Sequence, residues 1–116
     1  MKISNIIQII LTILLLSVGQ ILFKMVADKI NPNHSIVSTI TNPLLILALA
    51  VYGVATLLWI FSLRNVPLSL AYPFAALAFV FVPVMAHFAL SEPLKAKTFY
   101  GFILILAGVT ISTIEF

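Results

Sequence analysis

The chain contains no cysteine and very few charged residues, and both absences restrict what it can be. Charged side chains make up 8% of its 116 residues and apolar ones 63%, against about 25% and roughly 45–50% in soluble domains. Because so few charges cannot cover the surface of a soluble globule, the chain is predicted to lie in a bilayer. Without cysteine it has neither a disulfide framework nor a thiolate metal site, and two histidines make a poor metal site.

The charges that are present are scattered singly, which excludes further classes of function. Six basic and three acidic residues give a net charge of +3 with no basic tract, so nucleic acid is not expected as a partner. The sequence also lacks a nucleophile paired with a base, a glycine-rich phosphate loop and clustered metal ligands. We therefore expect no enzyme activity, no cofactor and no metal.

Four apolar runs predict four transmembrane helices. A spanning helix takes about 20 residues, so the chain has room for little besides its spans. We predict an all-α membrane protein with a single domain, 1–116. The spans are predicted at about 3–26, 43–63, 67–91 and 98–114. The first is interpreted as an uncleaved span, because it is longer than a signal core and no small-residue cleavage site follows it.

Prolines and polar residues mark the connections between the spans. Residues 27–42 form the longest connection, and Pro43 is well placed in a first helical turn. Pro73 and Pro83 are expected to interrupt and kink the third span. Four spans put both termini on one side of the membrane. The basic residues are divided only slightly unequally between the two sides, so the orientation and the possibility of dual insertion stay open. One side has Lys2 and Arg64, and the other has Lys24, Lys29, Lys95 and Lys97.

A polar stripe follows one face of the first span. At about 100° per residue, Ser17, Gln20 and Lys24 fall within an arc of roughly 60°. One interpretation is that Lys24, with Gln20 beside it, contacts an anionic headgroup in a groove between helices. The other is that Lys24 extends to the headgroups while Ser17 and Gln20 hydrogen-bond a neighbouring helix.

Three more side chains near span ends are candidate ligand contacts, each with a plainer alternative. Arg64 offers a planar fork for phosphate, or it anchors the topology. Tyr72 lies beside the expected kink at Pro73, where its hydroxyl can point inward, or it is an interfacial aromatic. His87 can carry a proton in the physiological range, or it is a hydrogen-bonded interface residue.

The acidic residues are confined to loops and the end of the sequence. Asp28, Glu92 and Glu115 all fall outside the predicted spans. A small cationic-drug antiporter needs an acid embedded in the membrane that exchanges protons for cations. The chain lacks that residue, which argues against proton-coupled drug export.

Several motifs resemble the drug/metabolite transporter superfamily over nearly the whole chain. They are residues 17–24 (SVGQILFK), 65–67 (NVP), 71–73 (AYP) and 104–109 (LILAGV). At this length the chain is similar to the small multidrug resistance type, and the resemblance implies a dimer with a shared pathway and alternating access. Leu16 stands where the antiporters carry their glutamate, which is a departure from that group.

A nearer resemblance is to the small subunits of the aminoarabinose-phosphoundecaprenol flippase. It is carried by residues 15–20 (LLSVGQ), by the motifs at 65–67 and 71–73, and by Glu92-Pro93 before the last span. The resemblance implies a bacterial inner-membrane protein that moves a sugar on a polyprenyl phosphate to the outer leaflet. It also implies that the chain is one of two similar four-span subunits.

Small residues on the fourth span predict the contact between subunits. Gly101, Ala107 and Gly108 permit close approach along this span. Gly101 and Gly108 are seven residues apart and so lie on nearly one face. We predict that this face is the seam of a homodimer or heterodimer; the alternative is packing within the subunit.

The leading functional hypothesis is a transporter subunit for a polyprenyl-phosphate-linked sugar or similar anionic lipid, surrounded by membrane lipids. The predicted substrate-binding residues are Ser17, Gln20, Lys24, Arg64, Tyr72 and His87. Two alternatives stay open: an exporter of drugs or small polar metabolites, and a non-transporting membrane adaptor.

Overall fold

The computed structural model describes residues 2–30, 33 and 35–114, and within these ranges it is helical with no strand. Its helices are α1 (Ile3–Lys29), α2 (Ile36–Ile40), α3 (Pro43–Leu63), α4 (Leu68–Ala75), α5 (Ala78–Leu90) and α6 (Ala96–Thr113). Four segments are long and apolar enough to cross a membrane: α1, α3, α4 together with α5, and α6. The predicted all-α fold with four spans is confirmed.

The helix ends follow local capping rather than the apolar runs alone. Pro43 occupies the first turn of α3, as expected, and the Asn42 side chain caps that turn by accepting the Leu44 N–H at 2.9 Å. α1 continues to Lys29, beyond the predicted limit at residue 26.

The connection between the first two spans contains a short helix that hydropathy did not predict. In α2, the Ser35 hydroxyl accepts the Ser38 N–H at 3.1 Å and so caps the first turn. Ile36, Val37 and Ile40 are exposed on this helix. The polar connection residues Asn31, Pro32 and His34 lie outside the described residues.

The third span is broken once, shortly after Pro73. α4 ends at Ala75 and α5 begins at Ala78. Between them the Ala76 N–H donates to the Pro73 carbonyl at 3.1 Å, and the next N–H makes an equally short-range bond, so the chain tightens into a 3₁₀-like turn. We call this segment the span-three bend.

The expected interruption at Pro83 is wrong, because α5 runs without a break from Ala78 to Leu90. Pro83 removes only its own hydrogen bond to the Phe79 carbonyl. Ending the helix there would leave several backbone groups unpaired in hydrocarbon, each at a cost of several kcal/mol, so a single lost bond is the smaller penalty.

α1 is the central helix of the bundle. It packs most extensively against α3 and also contacts α5 and α4, whereas α6 packs mainly on α4 and α5. The buried core lies toward the end that holds the termini and combines α1, α4, the segment before α4, and α6. Its members are Ile9, Ile13, Val66, Ala71, Phe74, Leu77 and Val109.

α1 and α3 approach each other closely at Gly19. A Cβ atom placed there would lie 3.2 Å from Tyr52 Cδ2. The Tyr52 ring also packs against Phe23, with 5.6 Å between the ring centroids. Successive spans run in opposite directions. We call the end with Lys24 the lysine side and the end with Arg64 the arginine side.

Candidate functional site

Many hydroxyl side chains in the spans are satisfied within their own helix. The hydroxyls of Thr12, Ser17, Thr56, Ser62, Thr110 and Thr113 donate to the carbonyl four residues earlier at 2.8–2.9 Å. This bonding removes the cost of a polar group in hydrocarbon. The polar groups that lack such a bond are therefore the informative ones.

Ser17 belongs to the satisfied group. It is fully buried, and its hydroxyl donates to the Ile13 carbonyl at 2.8 Å. It borders none of the grooves described below. Its assignment to substrate binding stays a prediction.

A first groove of about 390 Å³ lies between α1, α3 and α4. We call it the central groove, because Leu16 and Tyr52 come from the middle of their helices. It is lined by Ile13, Leu16, Tyr52, Thr56, Trp59, Tyr72 and Ala75. The Tyr52 hydroxyl, the Trp59 indole N–H and the Tyr72 hydroxyl make no hydrogen bond within the described part of the chain.

A second, larger groove of about 720 Å³ lies between the halves of the third span and α6. We call it the terminal groove, since it reaches toward the arginine side. Its lining includes Ser69, Tyr72, Pro73, Phe79, Gly108 and Ser112. Tyr72, which is 66% exposed, borders both grooves, so one side chain joins them.

The prolines of the third span each remove one helical hydrogen bond near the terminal groove. A proline cannot donate to the carbonyl four residues before it. That carbonyl belongs to Ser69 for Pro73 and to Phe79 for Pro83, and both residues line the terminal groove. Each of these two carbonyls therefore loses its usual helical donor.

Gln20 lies in a third groove, between α1 and α5. This groove, of about 340 Å³, is lined by Gln20, Ala78, Phe79, Val82 and Pro83. The Gln20 amide makes no hydrogen bond within the described residues. Gln20 and Ser17 therefore have different surroundings, although both belong to the predicted polar stripe. In that stripe Ser17 is buried, Gln20 borders a groove and Lys24 is exposed.

Lys24 is exposed on the lysine side. Its Nζ lies 2.9 Å from the Asp28 carboxylate, one turn further along α1. Glu92 is near enough to interact electrostatically with the same ammonium group. A phosphate that binds Lys24 must therefore compete with an acid already in place.

Arg64 is exposed on the opposite side, directly after the last turn of α3. Its backbone N–H donates to the Phe61 carbonyl at 3.3 Å, and its guanidinium makes no ion pair or hydrogen bond within the described chain. The structure does not bring Arg64 and Lys24 together. The two cations face the two ends of the bundle.

His87 takes part in the end of α5. Its Nδ1 lies 2.8 Å from the Glu92 carbonyl oxygen, which can only accept, so Nδ1–H donates. The adjacent Ser91 adopts a left-handed conformation with φ of 57°, and the Glu92 N–H returns to the Ala86 carbonyl at 3.3 Å. This arrangement favours the interface alternative for His87, and its assignment to substrate binding stays a prediction.

The predicted seam on α6 is open in the single chain. Cβ atoms placed on Gly101 and Gly108 would meet nothing within 4 Å, and Ala107 is exposed. The alternative of packing within the subunit receives no support at these positions. Contact with a second chain stays a prediction.

Sequence reasoning missed the aromatic wall of the central groove. Tyr52, Thr56 and Trp59 are spaced i, i+4 and i+7, which places them on one face of α3. That spacing is readable in the sequence, but Tyr and Trp count as ordinary apolar residues when spans are located. In the described residues no group of three His, Asp or Glu side chains is placed to hold a metal ion.

Comparison with known proteins places the chain among transporters. The profile of the EamA-like transporter family matches residues 2–114. The chain is 42% identical over 65 residues to the probable 4-amino-4-deoxy-L-arabinose-phosphoundecaprenol flippase subunit ArnE of Enterobacter sp. (strain 638), covering 56% of this chain and 61% of the relative. It is 36% identical over 70 residues to the ArnE subunit of Pseudomonas fluorescens (strain Pf0-1), covering 60% and 61%.

A third relative aligns over most of both chains. The ArnE subunit of Pseudomonas aeruginosa (strain LESB58) is 31% identical over 102 residues, which is 86% of this chain and 89% of the relative. In the two preceding alignments the chain spans about three fifths of the relative's length. No solved structure matches the chain.

The family match confirms the resemblance to drug/metabolite transporters. The four apolar helices and the bacterial relatives also confirm the expected location, a multi-pass protein of the inner membrane. From residue 2 to residue 114, this chain belongs to the EamA-like transporter family.

Proposed function

We propose that the chain is one subunit of a flippase that moves a sugar linked to a polyprenyl phosphate, or a similar anionic lipid, across the membrane. The observation that carries the proposal is a set of grooves with unpartnered hydroxyl and amide groups between helices that are otherwise apolar. The relatives named as flippase subunits support the same substrate class.

The chemistry of a lipid-linked sugar fits such grooves. Its headgroup is polar and must be shielded from hydrocarbon during transfer, while its isoprenoid tail can stay in the bilayer. The terminal groove, lined by Tyr72 and Ser69, and the separate groove at Gln20 are both open to lipid. They provide hydrogen-bonding partners without enclosing the tail. A closed pocket would exclude a substrate of this shape.

The distribution of charge favours an anionic substrate over a cationic drug. No acid occurs at residues 3–26, 43–63, 67–91 or 98–114, and Leu16 in the middle of α1 is apolar. Arg64 and Lys24 lie at opposite ends of the bundle, so each is suited to receive the phosphate at one membrane surface. In this proposal the two cations act at two ends of one pathway.

A second four-span chain, identical or similar, completes the pathway. A single chain leaves the predicted seam at Gly101, Ala107 and Gly108 uncovered and the terminal groove open along α6. We propose that pairing along α6 closes this groove, and that alternating access moves the headgroup between the two cations. The transported lipid is chemically unchanged, and the chain acts as a transporter rather than an enzyme.

Transfer in proteoliposomes tests the proposal. The chain, with its partner subunit, is reconstituted with aminoarabinose-phosphoundecaprenol, and leaflet accessibility of the sugar amine is followed with an impermeant reagent. We expect protein-dependent transfer that falls about tenfold in Lys24→Gln and in Arg64→Gln, because each removes a charge-assisted contact to phosphate. Lys97→Gln, in the first turn of α6, is the matched control and should transfer at the parent rate.

Assembly of the pair is measured in the same samples, because it separates transport from an adaptor role. Intact assembly with reduced transfer in both variants supports the flippase. An absence of transfer by the parent pair rejects the flippase. Unchanged transfer in both variants would show that Lys24 and Arg64 only anchor the topology. Recovery of the lipid with an altered headgroup would contradict the assignment as a non-enzyme.

A further inference from the structure

One aromatic residue of the central groove, Tyr52, is in an unusual place for its residue type. Tyr and Trp in membrane proteins concentrate at the two interfaces, where their polar tips reach water. Tyr52 is instead near the middle of α3, within ring-packing distance of Phe23 and directly beside Gly19. Since Trp59 is two turns away on the same face, the wall extends from the middle of the membrane toward the arginine side.

These aromatic side chains carry hydrogen-bond donors with no partner. The Tyr52 hydroxyl, the Trp59 indole N–H and the Tyr72 hydroxyl are unbonded within the described residues. The Tyr52 hydroxyl is near the middle of α3, and an unsatisfied polar group that faces hydrocarbon there costs several kcal/mol. Other hydroxyls on the same helices avoid the cost by bonding their own backbone, as Thr56 does to the Tyr52 carbonyl at 2.9 Å. Three free donors around one groove therefore point to a ligand that bonds them.

The size and charge of the central groove restrict the kinds of ligand that it can bind. Its volume of about 390 Å³ is at the lower end of the roughly 300–1,000 Å³ typical of small-molecule sites. Its lining contains no Lys, Arg, Asp or Glu, so it provides no countercharge for a phosphate or a cation. The ligand is thus a small uncharged or weakly charged chemical group that has both an apolar face and several hydroxyls.

A monosaccharide has this combination of surfaces. One face of a sugar ring presents C–H groups that pack on an aromatic ring, while its hydroxyls lie at the rim and reach Tyr, Trp and Thr. We infer that the central groove binds the sugar ring of the transported lipid, stacked against Trp59. The hydroxyls of Tyr52 and Tyr72 donate to sugar oxygens, and the Thr56 hydroxyl, whose own proton goes to the Tyr52 carbonyl, accepts from a sugar hydroxyl. This inference rests on the proposed function, and it adds the site that recognises the sugar.

Trp59 is the only tryptophan of the chain, so it reports on this groove directly. The purified pair in nanodiscs, made with a tryptophan-free partner, is titrated with phosphoundecaprenol carrying aminoarabinose, with its N-acetylated form, and with sugar-free phosphoundecaprenol. We expect a saturable change in Trp59 emission with both sugar-bearing lipids and none with the sugar-free lipid. An equal change with the sugar-free lipid would overturn the inference, and so would a response restricted to the free amine, which indicates a cation–π site instead.

A substitution at Tyr72, which lines the central groove opposite α3, tests the contacts. Tyr72→Ala should raise the apparent Kd for the sugar-bearing lipid about tenfold, and Tyr72→Phe, which keeps the ring, about threefold. Tyr72 is 66% exposed, so truncation leaves the packing intact. Phe61→Ala is the matched control, because Phe61 is half exposed on α3 and lines none of the grooves described. An unchanged Kd in Tyr72→Ala, or an equal loss in Phe61→Ala, would reject the site.

The two proposals fail separately. Transfer in proteoliposomes without a sugar-dependent change in Trp59 emission rejects the sugar site but supports the flippase. A sugar-dependent change at Trp59 without transfer keeps the site and rejects the flippase.

Discussion

The first and last spans are packed to very different degrees. Over their most apolar windows, 33% of α1 is buried inside the chain but only 6% of α6. Both are apolar enough to cross a membrane, although α6 is the less apolar of the two. The difference shows that the apolar residues of a span can either pack in the core of the subunit or face lipid and other chains. The pair α1 and α3 holds the single chain together, whereas α6 has most of its surface available to lipid or to a second subunit.

The largest effect is expected where α1 meets α3. Gly19→Leu forces a branched side chain into the position 3.2 Å from the Tyr52 ring and 3.8 Å from its backbone. Overpacking of this kind costs about 1–3 kcal/mol. We expect a clear fall in the thermal unfolding midpoint, followed by Trp59 emission in detergent. Gly53→Leu is the matched control, since Gly53 is also helical and has nothing within 4 Å. Equal midpoints in the two variants would contradict the close contact.

A different effect is expected on α6. A Cβ atom at Gly101 or at Gly108 meets nothing within 4 Å, so we expect Gly101→Leu and Gly108→Leu to leave the unfolding midpoint of the monomer unchanged. If the seam joins two chains, each substitution separates the backbones. We expect about tenfold weaker pairing, or about 1.4 kcal/mol. Pairing is measured by cross-linking through a cysteine introduced at the exposed position of Leu104 in this cysteine-free chain. Unchanged cross-linking would place the seam elsewhere, and Gly53→Leu again serves as the control.

The smallest effect is expected at the end of α1, beyond its packing. Asp28→Asn breaks the exposed ion pair with Lys24, and such pairs contribute little to stability. The unfolding midpoint should not change measurably. Binding of phosphoundecaprenol, measured by native mass spectrometry, should rise about twofold because Lys24 loses a competing acid. Weaker binding would show that Asp28 positions Lys24 rather than competing with the phosphate.

The sequence predicts the spans well because long apolar runs have few other stable arrangements. It predicts α3 from residue 43 to 63, with the same bounds as the structure, since a proline and an arginine bracket the run. It does not distinguish Pro73 from Pro83, because the effect of each proline depends on the packing around it. The actual break lies beyond Pro73, at Ala76 and Leu77.

The candidate site is harder to predict, because the polar residues of one stripe have different surroundings. Ser17, Gln20 and Lys24 share a helical face, but α3 and α5 cover that face unequally. Ser17 becomes buried, Gln20 borders a groove and Lys24 stays exposed. Periodicity gives the direction of a side chain but not the identity of its neighbours. The central groove depends on three helices, and only the structure brings Tyr72 beside Trp59.

The span-three bend lies where the packing partners of the third span change. α5 packs chiefly on α1, whereas α4 divides its contacts among α6, α1 and α3. The short-range hydrogen bonds at Ala76 and Leu77 make this change within a single turn of backbone. Residues on both sides of the bend line the terminal groove, among them Tyr72 and Phe79. The angle between α4 and α5 therefore contributes to the width of that groove, so a small change at one turn would open or narrow it while both helices stay intact.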